Sequence, residues 1–67
     1  MLYVSISKKD STATHLIPTY DFYAVYDYVM DICKNRDTAS NVANWTDIAS
    51  VGESYDFEIG TAEIVEE

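Results

Sequence analysis

The sequence predicts an α+β fold: a small antiparallel sheet of about three strands, in the order β–β–α–α–β, with two helices packed on one face. Residues near both ends of the chain alternate apolar and polar with a period of two, as half-buried strands do. The middle repeats its apolar positions at three- and four-residue steps, as helices packed on a sheet do. Only two glycines and one proline occur in 67 residues, so most of the chain can lie in regular structure.

Residues 2–7, LYVSIS, place Leu2, Val4 and Ile6 on one face and Tyr3, Ser5 and Ser7 on the other. This reads as a strand with one buried face. KKDSTAT follows, with the charged and small polar residues of a hairpin turn. HLIPTY resumes an extended character, but Pro18 cannot donate to a ladder, so the second strand is short or lies at an edge. Thr19 or Asp21 can cap a helix whose apolar stripe is Phe22, Val25, Tyr26, Val29, Ile32 and Cys33. Lys34 and Arg36 stand where the helix macrodipole favours cations, and the helix is expected to end near Asn35.

Asp37 or Thr38 can then cap a second helix, and Gly52 can end it in the left-handed conformation. Val42, Trp45, Ile48 and Ala49 form its expected buried stripe, and Asn44 with Asp47 could open a fresh turn and break it in the middle. In the closing SYDFEIGTAEIVEE, Tyr55, Phe57 and Ile59 alternate with Asp56 and Glu58 as in a half-buried strand. After Gly60 the apolar positions become Ala62 and Ile64, one step out of phase, which a bulge or a turn explains.

The length allows one domain, residues 1–67, and one core. A chain this short buries only about 60% of the surface its unfolded form exposes, so it is expected to be marginally stable. A hydrophobic share of 48% separates it from acidic disordered segments. Twelve carboxylates against four lysines and arginines leave a net charge of −8. That excess argues against direct binding to nucleic acid or anionic membranes, which needs cationic groups. It favours a basic partner or a cation, or serves only solubility. Cys33 is the single cysteine, so neither an internal disulfide nor a cysteine metal cage can form. MLYVSISKKD alternates rather than running apolar, unlike a signal peptide, and no window nears the roughly 20 apolar residues of a spanning helix. A cytoplasmic location is expected, and the NWT sequon at Asn44 is read as chance.

Catalytic candidates are few. His15, the only histidine, lies between a turn and a strand and reads as a surface or hydrogen-bonded imidazole. Cys33 falls on the apolar side of the first helix, where a free thiol acts as a small hydrophobe. Asp27 and Asp31, four apart, are neighbours on that helix and could hold a hard cation, yet calcium takes at least about six oxygens, supplied from a tight loop. A solvated helix face is the plainer reading. No GxGxxG, P-loop, CxxC or HExxH string occurs, so neither an enzyme nor a cofactor is expected.

What stands out is PTYDFYAVYDYVMDICKN, residues 18–35, with five tyrosines or phenylalanines and three aspartates. With the apolar stripe turned inward, Tyr20, Tyr23, Asp27 and Asp31 follow one another along a flank, and Tyr28 lies elsewhere outside the core. Tyrosine gives large contact area at low entropic cost, and carboxylates interleaved with phenol rings suit arginine. Alternatively, the rings merely shield the rim of a small sheet. Asp56, Glu58 and Glu63 crowd the last strand and, if it lies beside the first helix, would extend one acidic face.

The expected function is therefore that of a non-enzymatic binding protein whose partner-binding residues are Tyr20, Tyr23, Asp27, Tyr28, Asp31, Asp56, Glu58 and Glu63. In class the chain resembles the short acidic proteins of phages and mobile elements that disarm CRISPR or restriction nucleases. That resemblance implies an inhibitor that mimics nucleic acid and occupies the basic site of a nucleic-acid-processing protein. A self-associating assembly module, as a homodimer, is the second reading. A small cation-binding protein or hydrolase using Asp27 and Asp31 is the third.

Overall fold

The computed structural model describes residues 1–67 throughout. Its elements are β1 (Leu2–Lys8), β2 (Thr14–Pro18), α1 (Phe22–Cys33), α2 (Arg36–Ile48), β3 (Ser54–Phe57) and β4 (Gly60–Glu66). The fold is α+β as expected, but the sheet has four antiparallel strands, ordered β2-β1-β4-β3, and the chain order is β–β–α–α–β–β. The first and last strands form the central pair, with Val4 opposite Ile64 and Ile6 opposite Ala62. No helix is long and apolar enough to cross a membrane.

The extra strand arises at the phase slip. Glu58 and Ile59 form a two-residue turn, and Phe57 pairs with Gly60. An even-length tight loop pairs odd-numbered residues with even-numbered ones, so Tyr55 and Phe57 share a face with Ala62 and Ile64. Gly60 is needed for space: a Cβ there would run into the backbone carbonyl oxygen of Ser7 on β1.

Both helices cover one face of the sheet. Val4, Ile6, Ile17, Phe57, Ala62 and Ile64 are buried beneath them, with Val25 and Val29 from α1 and Ala39, Val42 and Ala43 from α2 completing the core. The alternate residues Tyr3, Ser5, Ser7, Thr61 and Val65 remain half-buried on the opposite, uncovered face.

Asp21 caps α1, accepting from the amide of Ala24 at 3.2 Å. The helix ends at Cys33, where Lys34 takes a left-handed conformation (φ 56°) and donates its amide to the Met30 carbonyl. That reversal leaves Asn35 extended, so Asn35, rather than Asp37 or Thr38, caps α2 by accepting from the Thr38 amide at 3.2 Å. Nor is α2 broken at Asn44. It ends at Ile48 with Ala49 extended, so Gly52 does not terminate it and instead occupies the following turn at φ 92°.

The buried stripe of α2 also differs from expectation. Thr38, Ala39, Val42, Ala43 and Thr46 face the core, Trp45 is half-buried, and Ile48 is 81% exposed. Two alanines let α2 lie close along α1, and the threonine hydroxyls are satisfied internally. Thr46 donates to the Val42 carbonyl at 2.8 Å, and Thr38 donates to Glu58. Satisfied threonines of this size pack much like valines, which turns the helix by most of a quadrant from the stripe that hydropathy alone suggests.

Candidate protein-binding surface

Along α1, Tyr23, Asp27 and Asp31 recur at four-residue steps and all are exposed. Four residues advance an α-helix by slightly more than one turn, so the three side chains form a line away from the sheet. Tyr20, in the turn before the Asp21 cap, is 73% exposed, and Tyr23 is 76% exposed. The ring of Tyr23 meets that of half-buried Phe22 edge-on, with centroids 5.5 Å apart, an arrangement that restrains it without covering it. Lys34 sits 3.7 Å from Asp31 at the far end of the line. Both groups are largely in water, where such a pair is weak and easily displaced.

Three of the expected contact residues thus share one stripe, with Tyr20 in the turn just before it, and the other four do not join it. Tyr28 is half-buried and stacks on His15 of β2, with centroids 4.2 Å apart and planes within 10°. It clasps α1 to the edge of the sheet. Tyr26 is half-buried against the core as well. Asp56 and Glu63 point to the uncovered face of the sheet, Asp56 opposite Thr61 and Glu63 between Ser5 and Ser54. Asp56 accepts from the Thr61 hydroxyl at 2.9 Å. Glu58, in the β3–β4 turn, accepts from buried Thr38 at 2.5 and 3.1 Å and anchors the start of α2.

The expected continuous acidic face does not form, and the topology explains why. α1 follows β2 at one edge of the sheet, whereas β3 is the opposite edge and packs against α2. The carboxylates of β3 and β4 therefore face different directions from those of α1. Asp27 and Asp31 gain no further ligand, and nowhere do three His, Cys, Asp or Glu side chains converge. The Cys33 thiol lies 3.7 Å from the Asn35 carbonyl, tucked against the link between the helices.

Two exposed features were not singled out by the sequence patterns. Ile48 projects into solvent at the end of α2; its place in a three-to-four-residue stripe hid it. The uncovered sheet face carries Leu16, 43% exposed, beside half-buried Tyr3, Pro18 and Val65. The strand alternation located that face, but not the absence of a layer over it. Compared with known protein families, curated proteins and solved structures, the chain matches none.

Proposed function

We propose that this chain is a non-enzymatic binding protein that occupies a basic site on a nucleic-acid-processing protein, using the outer stripe of α1. The observation that carries this reading is the alignment of highly exposed Tyr23 with the unburied carboxylates of Asp27 and Asp31 on one rigid helix, with exposed Tyr20 in the turn that leads into it. A guanidinium can pair with the carboxylates and stack on the rings at once. Regularly spaced negative charge on a rigid element is also what a cationic groove for nucleic acid is built to receive. The inhibitor of phage or mobile-element type remains the concrete form of the reading, as a class analogy.

The test is capture of a partner by the immobilised chain, followed by competition. The captured protein should bind DNA or RNA, should be displaced by it, and should lose affinity steeply as salt rises. A partner with no affinity for nucleic acid, or one held equally at low and high salt, would contradict the reading.

Self-association is the second reading, favoured by the uncovered sheet face with Leu16, Tyr3, Pro18 and Val65. Domains of this size gain needed burial by pairing. Sedimentation equilibrium decides between them: a salt-resistant dimer that Leu16→Ser dissociates supports self-association, and a monomer at all concentrations removes it.

A further inference from the structure

Charge and exposed apolar side chains are both polarised along this molecule. All four lysines and arginines gather at one end. Lys8 closes β1 opposite Gly60, and the Lys9 amide donates to the Ile59 carbonyl at 2.9 Å. Ile32, from the last turn of α1, borders the same depression as Lys8 and Lys9. Lys34 and Arg36 flank the link that joins the helices there. At the other end α1 begins and α2 ends, and the chain termini pair through Met1 and Glu67. That end holds Asp21, Asp47, Glu53 and Glu66, all exposed, and no lysine or arginine.

Tyr23 belongs to the first turn of α1 and Ile48 to the last turn of α2. Successive helix residues turn by about 100°. Measured from the core residues Val25 and Val29 on one helix, and Ala39 and Ala43 on the other, both side chains point away from the sheet. The helices are joined by only two residues, Lys34 and Asn35, and pack side by side, so they run antiparallel and these two turns adjoin. Axes of packed helices lie about 8–10 Å apart, a span that one inserted side chain of a partner can bridge. An apolar centre with a polar rim is the usual anatomy of a protein interface.

We infer that this end of the helix layer, centred on Tyr23 and Ile48 with Tyr20, Asp27 and Asp47 around them, docks a protein segment presenting an apolar side chain flanked by arginines or lysines. The inference rests on the basic-partner reading and adds to it a location and an apolar contact. Charge complementarity selects the occupant: a second copy would bring carboxylates against carboxylates here, and nucleic acid would be repelled.

The experiment uses the full chain, isotopically labelled for NMR, and two synthetic peptides of equal positive charge. One places leucine between arginines at helical spacing, and the other has serine at each leucine. The leucine peptide should bind about tenfold more tightly at the same ionic strength, the scale that burial of one apolar side chain supports. The largest amide shifts should fall at Tyr20, Tyr23, Asp47 and Ile48. Ile48→Ser, at an exposed position outside the α1 stripe, should erase most of the preference while leaving circular dichroism and serine-peptide affinity unchanged. Leu16→Ser on the uncovered sheet face should leave the preference intact. Equal affinity of the unaltered chain for both peptides overturns the inference, as do shifts centred on Asp56 and Glu63 or peptide-free dimerisation through Ile48. Binding of neither peptide overturns the basic-partner reading along with it.

Discussion

At Gly60 a single methyl group decides whether the two central strands can pair, because a Cβ would meet the Ser7 carbonyl oxygen across the β1–β4 ladder and crowd the Phe57 ring at 3.2 Å. The obstacle is backbone on one side, so neither strand can yield without breaking register. Gly60→Ala should cost roughly 2–3 kcal/mol, the range for overpacking a site that cannot relax, as read from a urea midpoint. A loss under about 0.5 kcal/mol would show that the strands part more easily than this geometry implies. Lys34 makes the opposite case. Its backbone is left-handed at φ 56°, which disfavours any side chain with a Cβ, and its ion pair with Asp31 is exposed and contributes little. Lys34→Gly should therefore stabilise the fold by about 0.5–1 kcal/mol, and a destabilised variant would mean that the lysine side chain contributes more than an exposed pair can.

The elements differ in what holds them. α1 is apolar enough to be secured by burial of Val25 and Val29, so its outward stripe is free of structural duty. α2 has a poorer apolar face and depends on its ends: the Asn35 cap, the Thr38–Glu58 contact and Trp45 leaning on Tyr55 with centroids 5.5 Å apart. Because Asp27 and Asp31 do nothing for the fold beyond one exposed ion pair, Asp27→Asn with Asp31→Asn should leave the melting temperature within a few degrees. The same pair should weaken binding to a basic partner by roughly fivefold or more at low salt, since exposed charge pairs contribute up to about 1 kcal/mol each. Calorimetry of the variant alone and titration against the captured partner check the two halves. Unchanged affinity would remove the α1 stripe from the interface.

On the scale of the whole molecule, self-repulsion of the surplus carboxylates lowers the stability. Two carboxylates 10 Å apart in water repel by ~0.4 kcal/mol when unscreened, and a net charge of −8 is confined to a body 28 × 23 × 16 Å. At 0.01 M salt the screening length, about 30 Å, exceeds the length of the molecule; at 0.15 M it is about 8 Å and most pairs are silent. The melting temperature should thus rise by several degrees between those salt concentrations, while affinity for a basic partner falls. A melting temperature independent of salt would mean that the carboxylates are too dispersed to act together. The dependence should be largest for carboxylates at the end without lysine or arginine, so Asp47→Asn should raise low-salt stability more than Asp37→Asn, which lies near Arg36 in sequence.

Local pattern alone was enough for the α+β class, the first strand, a cap at Thr19 or Asp21, the Val25–Val29 stripe and the alignment of Tyr23, Asp27 and Asp31 along one flank of α1. Each depends on residues within a turn or two of one another, so periodicity records it. The fourth strand was half-visible as a phase slip at Gly60. What made it a strand was pairing with a partner nearly sixty residues away. Tertiary structure alone decided that Tyr28 stacks on His15, that Thr38 and Thr46 stand in the core while Ile48 leaves it, and that Asp56 and Glu63 face away from α1. Those outcomes turn on which edge of the sheet each helix covers, a choice made by the summed packing of the molecule and carried by no single stretch of the chain.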